Sequence, residues 1–391
     1  MDPQPVNIFS DDNEVEKAER TSLLNELDGL VDSTPFSRGL WACLRVADLG
    51  SLRRIVEGVK HSPFPKAGLA GYEYLLQESN LLRHWTQRTR VSSRATSTTT
   101  TPPQPSTPTR PDVSGLPSTF LKRRRDARDQ LQSELCRQRD RRRCVVTKSG
   151  EPIEVAHIFP FAMRGFQTEE ARSQMYSPWE VLKIFWPEEK VERWLSAIQA
   201  TTETPKNLLC LAPHVHAYQG KAYFALKHLG SSEDNTSCTV MFVWLPHFDD
   251  PQSLRVSTEP FAAPVVQLRE DSTGGVVGLW DVTTGLPIST GSRIVLETTD
   301  PVGLPLPDAD LLELHWVLQR VAAMAGAAEP RDDSYRTDDE DDEMFGVWAD
   351  EDSDLSDLSL PQKPTTSMAS NGKNKMVLDL NPCDPQSMPV E

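Results

Sequence analysis

The sequence predicts an α+β chain, on three observations. Apolar residues recur at helical spacing in three N-terminal stretches: 14–31, 37–59 and 71–90. Between 144 and 298 the pattern changes to short apolar runs bounded by turn residues, among them Val240-Met-Phe-Val-Trp-Leu245. A Leu-rich helical period then closes the folded part over 307–327. Two segments of biased composition frame these elements, so the expected organisation has five parts. Residues 1–13 are expected to be disordered, 14–91 form a small helical module, and 92–119 are a linker. Residues 120–328 are the main folded segment, which opens on a basic stretch, and 329–391 are a disordered acidic tail.

The bulk numbers support that division. Of 391 residues only 38% are hydrophobic and 31 are Pro, so part of the chain is not expected to bury a core. The net charge of −16 is segregated. Residues 329–391 carry 5 Lys/Arg against 17 Asp/Glu, whereas 1–91 and 92–328 are each close to neutral. An acidic total therefore does not exclude a polyanionic partner for the middle of the chain. Six cysteines occur with no C-x-x-C pair, which argues against a zinc ribbon and against a disulfide scaffold. No signal-like or membrane-length apolar run is present, so a soluble, intracellular protein with no membrane partner is expected.

Taken in order, the first helical period carries Leu23, Leu24, Leu27, Leu30 and Val31. The second carries Leu40, Cys43, Leu44, Leu52, Ile55 and Val56. Pro63 and Pro65 break the pattern before the third, with Tyr74, Leu75, Leu81, Leu82 and Trp85. This module reads as packing, without a residue that looks catalytic. Residues 92–111 contain 16 Ser, Thr or Pro out of 20, which marks a flexible linker. Residues 120–143 carry ten Lys/Arg on a helical pattern. Lys122–Arg125 suits a nuclear import signal, and Arg137, Arg139, Arg141, Arg142 and Arg143 suit phosphate contacts; the bland alternative is a solvated helix face.

Cys144–Thr147 and Pro152–Ile158 read as strands joined by a turn at Lys148–Glu151. A helical excursion follows over 161–205, with Ser177-Pro-Trp-Glu180 as a capping box. Leu208–Leu211 is a further apolar run, and Pro213 opens a helix. Strands are expected at 222–226, 236–245, 265–268, 278–282 and 293–298. In the tail, Met344, Phe345, Val347 and Trp348 sit between acidic clusters. Such a segment can fold on a protein partner; it can equally be a solubilising tail or a shield for the chain's own basic stretch.

Chemistry concentrates in three residues in the order His157, Asn207, His216. A histidine with a free ring nitrogen accepts a proton from water near neutral pH. His157 ends an apolar strand and is followed by Pro160. Asn207 opens the next strand, where an amide can pin a loop. His216 lies near a helix entry, where an imidazole can face a metal ion. Singly, each is more often a structural residue; together they form a pattern.

The stretches Arg139-Asp-Arg-Arg-Arg-Cys-Val-Val-Thr147, Ile153-Glu-Val-Ala-His-Ile-Phe-Pro160 and Asn207-Leu-Leu-Cys-Leu…His216…Gly220-Lys-Ala-Tyr-Phe224 resemble HNH endonuclease domains, most closely the branch found in fungal proteins. The resemblance covers about 137–230. It implies a ββα-metal core with inserted helices, with extra C-terminal strands and a helix beyond it. It also implies a nucleic-acid phosphodiester substrate, DNA in preference. It makes His157 the general base, Asn207 the residue that fixes the loop or helps hold the ion, and His216 a metal ligand. The implied cofactor is a divalent ion, Mg²⁺ or Mn²⁺ first, Zn²⁺ or Ni²⁺ as alternatives. The sequence departs from the family at Ala156, where an acidic residue or a second histidine is common, so Glu154 or water is expected to contribute. His214 reads as a bystander. The alternative function is a degenerate HNH fold that binds nucleic acid or protein.

Overall fold

The computed structural model describes residues 12–86, 130–167, 176–198, 202–246, 253–260, 269–270 and 276–326. The expected linker, the Lys122–Arg125 signal, the strand at 265–268 and the acidic tail lie outside the described residues. The architecture is α+β, with helices packed around antiparallel sheets.

Helix α1 (Glu14–Leu30) starts at a capping box: the Asn13 side chain accepts from Val15 N and Glu16 N, and Glu16 accepts from Asn13 N. The second helical period is two helices rather than one, α2 (Arg38–Val46) and α3 (Leu49–Lys60). The break comes from Asp48, whose carboxylate accepts from Gly50 N at 2.9 Å and Ser51 N at 3.2 Å and so starts a new helix. The third period also divides. Helix α4 (Pro65–Glu78) begins at a proline in its first turn, and α5 (Leu81–Trp85) follows Asn80, whose φ of 50° turns the chain.

The expected hairpin is corrected. Cys144–Thr147 forms turns, not a strand; Cys144 N donates to Ser149 O and Val145 N to Cys210 O, so this stretch folds across the edge of the next pair. The pair itself is β1 (Glu154–His157) antiparallel to β2 (Leu208–Leu211), with Glu154 opposite Leu211 and His157 opposite Leu208. Between them run a 3₁₀ segment (Phe161–Gln167), α6 (Pro178–Phe185) and α7 (Glu188–Ile198). Ser177 caps α6 by position only. Its hydroxyl makes no cap bond, and Glu180 pairs instead with Lys183 at 3.2 Å. Helix α8 (Pro213–Gly220) follows β2 directly, so β1, β2 and α8 form a ββα unit.

Beyond that unit lies an antiparallel sheet in the order β3 (Phe224–Ser231), β4 (Ser237–Trp244), β7 (Arg293–Glu297), with a two-residue pair of β5 (Arg269–Glu270) and β6 (Val276–Val277). Helix α9 (Ala309–Met324), capped by Asp308, packs against β3, α2, α5 and α7. It is buried on nearly all sides, which explains why its apolar period is wider than one face. Apolar side chains of the N-terminal helices, the ββα unit and α9 belong to one continuous core.

Candidate functional site

β1 carries His157 to the end of the short sheet, and α8 carries His216 back towards it. Both line one cavity of about 20 Å³, together with Trp85, Ile158, Gln219, His315 and Gln319 among others. Each histidine is held by a carboxylate. His157 Nε2 lies 2.8 Å from Glu203 Oε1, and His216 Nδ1 lies 2.7 Å from Glu154 Oε2. A carboxylate on one ring nitrogen fixes the ring's orientation and leaves the other nitrogen for chemistry. The two pairs differ in exposure: the side chains of His157 and Glu203 are 21% and 10% exposed, those of His216 and Glu154 33% and 38%.

Burial alone would raise the Glu203 carboxyl. The hydrogen bond and charge of His157, with smaller help from Arg164 and Thr202, outweigh it and leave the pKa below the ordinary value. Glu203 is therefore ionised at neutral pH.

Asn207 is buried, and both ends of its amide are engaged. Phe159 N donates to Oδ1 at 2.7 Å, and Nδ2 donates to Phe159 O at 3.2 Å and to Thr202 O at 3.0 Å. It ties the segment after His157 to the segment that carries Glu203. The two roles expected of Asn207, fixing the loop and helping to hold the ion, meet an amide whose Oδ1 accepts from Phe159 N in a buried place.

The basic residues also separate. Arg139 points inward, 3% exposed, and donates to the carbonyls of Pro205, Leu208 and Pro305 and to Asp140. Its place as a phosphate contact is corrected, because every arm of the guanidinium is taken by the fold. Arg141, Arg142 and Arg143 are exposed and Arg137 is half-buried. Arg141 and Arg142 have φ of 56° and 52°, and their N–H groups close on the carbonyls of Gln138 and Arg137. This left-handed turn ends the helical run 130–139 and throws the next side chains outward.

One group of three ligand atoms within 4.8 Å of each other occurs among the described residues: Cys136, Asp140 and Cys210. Asp140 already accepts from Arg139 and from Cys210 N. The Cys136 thiol is pushed well above its ordinary pKa by its bond to Cys210 and by burial, so it stays protonated. The group holds the basic helix against β2. For an ion at the histidine cavity, the fitting donor is His216 Nε2, with Glu154 holding the other ring nitrogen. Ala156 is fully buried and offers nothing.

Residues 144–227 match the family model described as HNH endonuclease. No curated protein and no solved structure matches the chain. The matched segment contains His157, Asn207, His216, Glu154 and Glu203. Trp85, His315 and Gln319, which close the cavity from α5 and α9, lie outside it. Gln319 accepts from Trp85 Nε1 and donates to Gln219 O, and Gln219 Nε2 donates to His157 O. His315 is buried, which pushes its pKa down to about 4 against a smaller opposing effect of the Ile158 backbone, so it is a neutral ring. Sequence reasoning missed Glu203, Gln219, His315 and Gln319. Glu203 is separated from His157 by 46 positions, and its one signal was an acid in a Thr-rich turn just before Asn207. His214 does not line the cavity; it is exposed on α8, edge-on to Tyr218.

Proposed function

We propose that the chain is a metal-dependent HNH-type endonuclease that hydrolyses nucleic-acid phosphodiester bonds, with DNA as the preferred substrate. The observation that carries this reading is the pair of carboxylate-held imidazoles on one cavity, Glu203–His157 and Glu154–His216. In this mechanism His157 takes the proton from the attacking water on the ring nitrogen that Glu203 leaves free. The Glu203 carboxylate stays ionised and stabilises the imidazolium that forms, as an aspartate does behind a catalytic histidine. Asn207 keeps the His157 loop and the Glu203 segment in register. His216, oriented by Glu154, is the ligand for a divalent ion, Mg²⁺ or Mn²⁺; the ion would neutralise charge on the scissile phosphate and the leaving oxygen. Arg141, Arg142 and Arg143, with Arg137, supply phosphate contacts beside the HNH segment.

A second reading has its own support. Among the described residues no trio of His, Cys, Asp or Glu ligand atoms gathers within 4.8 Å at the histidine cavity, and Ala156 adds no ligand. This favours a degenerate HNH fold that binds nucleic acid without cleaving it. The resemblance to the fungal branch rests on the motif residues. Nuclear import through Lys122–Arg125 and a protein partner for the acidic tail are proposals on residues outside those described. No helix among the described residues is long and apolar enough to cross a membrane.

The deciding experiment incubates the full chain with supercoiled plasmid and Mg²⁺ or Mn²⁺, beside His157→Ala. Loss of a general base lowers the rate by about 10²–10⁴-fold. Nicking that survives His157→Ala, or no nicking with any divalent ion, overturns the nuclease reading.

A further inference from the structure

An exposed aromatic ring with a cation over it stands beside His157. After His157 the chain enters the 3₁₀ segment, where Phe161 is 48% exposed and its ring centre lies 6.2 Å from that of His157. The Arg164 guanidinium sits 5.4 Å from the Phe161 ring centre. Phe161 is exposed, whereas Phe159, two residues earlier, is fully buried. A flat ring with a cation beside it matches one ligand chemistry well: an unstacked base with its phosphate. Paired bases inside a duplex do not offer their faces.

We propose that the substrate is presented to the histidine cavity as unpaired, single-stranded nucleic acid, with a base stacked on Phe161 beside His157. Arg164 holds the flanking phosphate. The inference rests on the nuclease reading and adds the strand type to it.

The test is fluorescence anisotropy of the full chain in EDTA, so that binding is read apart from cleavage. The probes are a labelled single-stranded DNA oligonucleotide and the same sequence annealed to its complement. The single strand binds about tenfold or more tightly than the duplex, and Phe161→Leu removes about tenfold of single-strand affinity. Phe161→Trp, which keeps a stacking face, retains it, and circular dichroism of both variants matches the unsubstituted chain. Equal affinity for the two probes, or single-strand affinity unchanged in Phe161→Leu, overturns the proposal even if the plasmid is nicked. Single-strand preference lost in Phe161→Leu upholds it, even if no divalent ion supports cleavage and the nuclease reading falls.

Discussion

The two histidine–carboxylate pairs look alike and are built differently. His157–Glu203 joins a strand end to a loop far along the chain, is largely buried, and holds an acid whose pKa is lowered. His216–Glu154 joins a helix to the start of the neighbouring strand and is about a third exposed on both sides. A buried, charge-stabilised pair suits proton transfer, where the imidazolium must be favoured as it forms. An open pair suits ligation of a hydrated ion that keeps waters and meets phosphate. The proposed function therefore puts the base at the buried pair and the ion at the open one.

The first way to break that assignment is Glu203→Gln. The amide still fills the space but cannot stabilise a protonated ring. The expected loss of nicking rate is on the order of 10²–10⁴-fold, with little change in Mn²⁺ affinity. A variant that nicks at the unsubstituted rate removes Glu203 from the mechanism. The same residue carries a stability signature. Its folded pKa lies below the ordinary 4.5, so its contribution is fully present above 4.5 and drains away as pH falls through the lower folded value. Glu203→Gln should flatten the acid limb of the Tm-against-pH curve in that window and leave the curve above pH 7 parallel to that of the parent.

Asn207→Ala tests the tie between the two segments. Phe159 N then loses its acceptor in a buried place, and the expected cost is about 1–3 kcal/mol by denaturant unfolding. A neutral substitution would mean that the loop is held elsewhere. Glu154→Gln sharpens the opposite end. It should weaken Mn²⁺ binding by about 10–100-fold in calorimetric titration, because the His216 ring loses its anchor. The smallest effect is expected outside the cavity. Arg142→Ala should lower the log–log salt slope of DNA binding by about one, as for a single lost phosphate contact. Arg139→Ala should instead unfold the chain at lower denaturant, since its guanidinium ties three backbone carbonyls together.

Much of this was legible in the sequence where a local rule applied. The α+β class, the limits of α1, β2, β7 and α9, and the placing of His157 at a strand end follow from periodicity and turn residues. Three things were not legible. Asp48 and Asn80 divided helices whose apolar period runs straight through them, because a cap acts on the backbone and leaves the period intact. Cys144–Thr147 has strand composition but no partner of its own, since Val145 takes a carbonyl from Cys210, 65 positions on. Arg139 is the same type as its exposed neighbours, and only the left-handed turn at Arg141–Arg142 separates inward from outward. At the cavity, the histidines were visible as a pattern. Of their carboxylates Glu154 was expected, but Glu203 was not, because Glu203 meets His157 only once the insertion folds back, and Gln319 and His315 reach the site through α9.

The division of labour between the pairs is tested most directly by the nicking rate of His157→Ala measured against Mn²⁺ concentration. The expected result is a maximum rate reduced by about 10²–10⁴-fold at an unchanged half-saturating Mn²⁺ concentration. A rate that recovers to that of the unsubstituted chain as Mn²⁺ is raised would contradict it, because His157 would then be holding the ion.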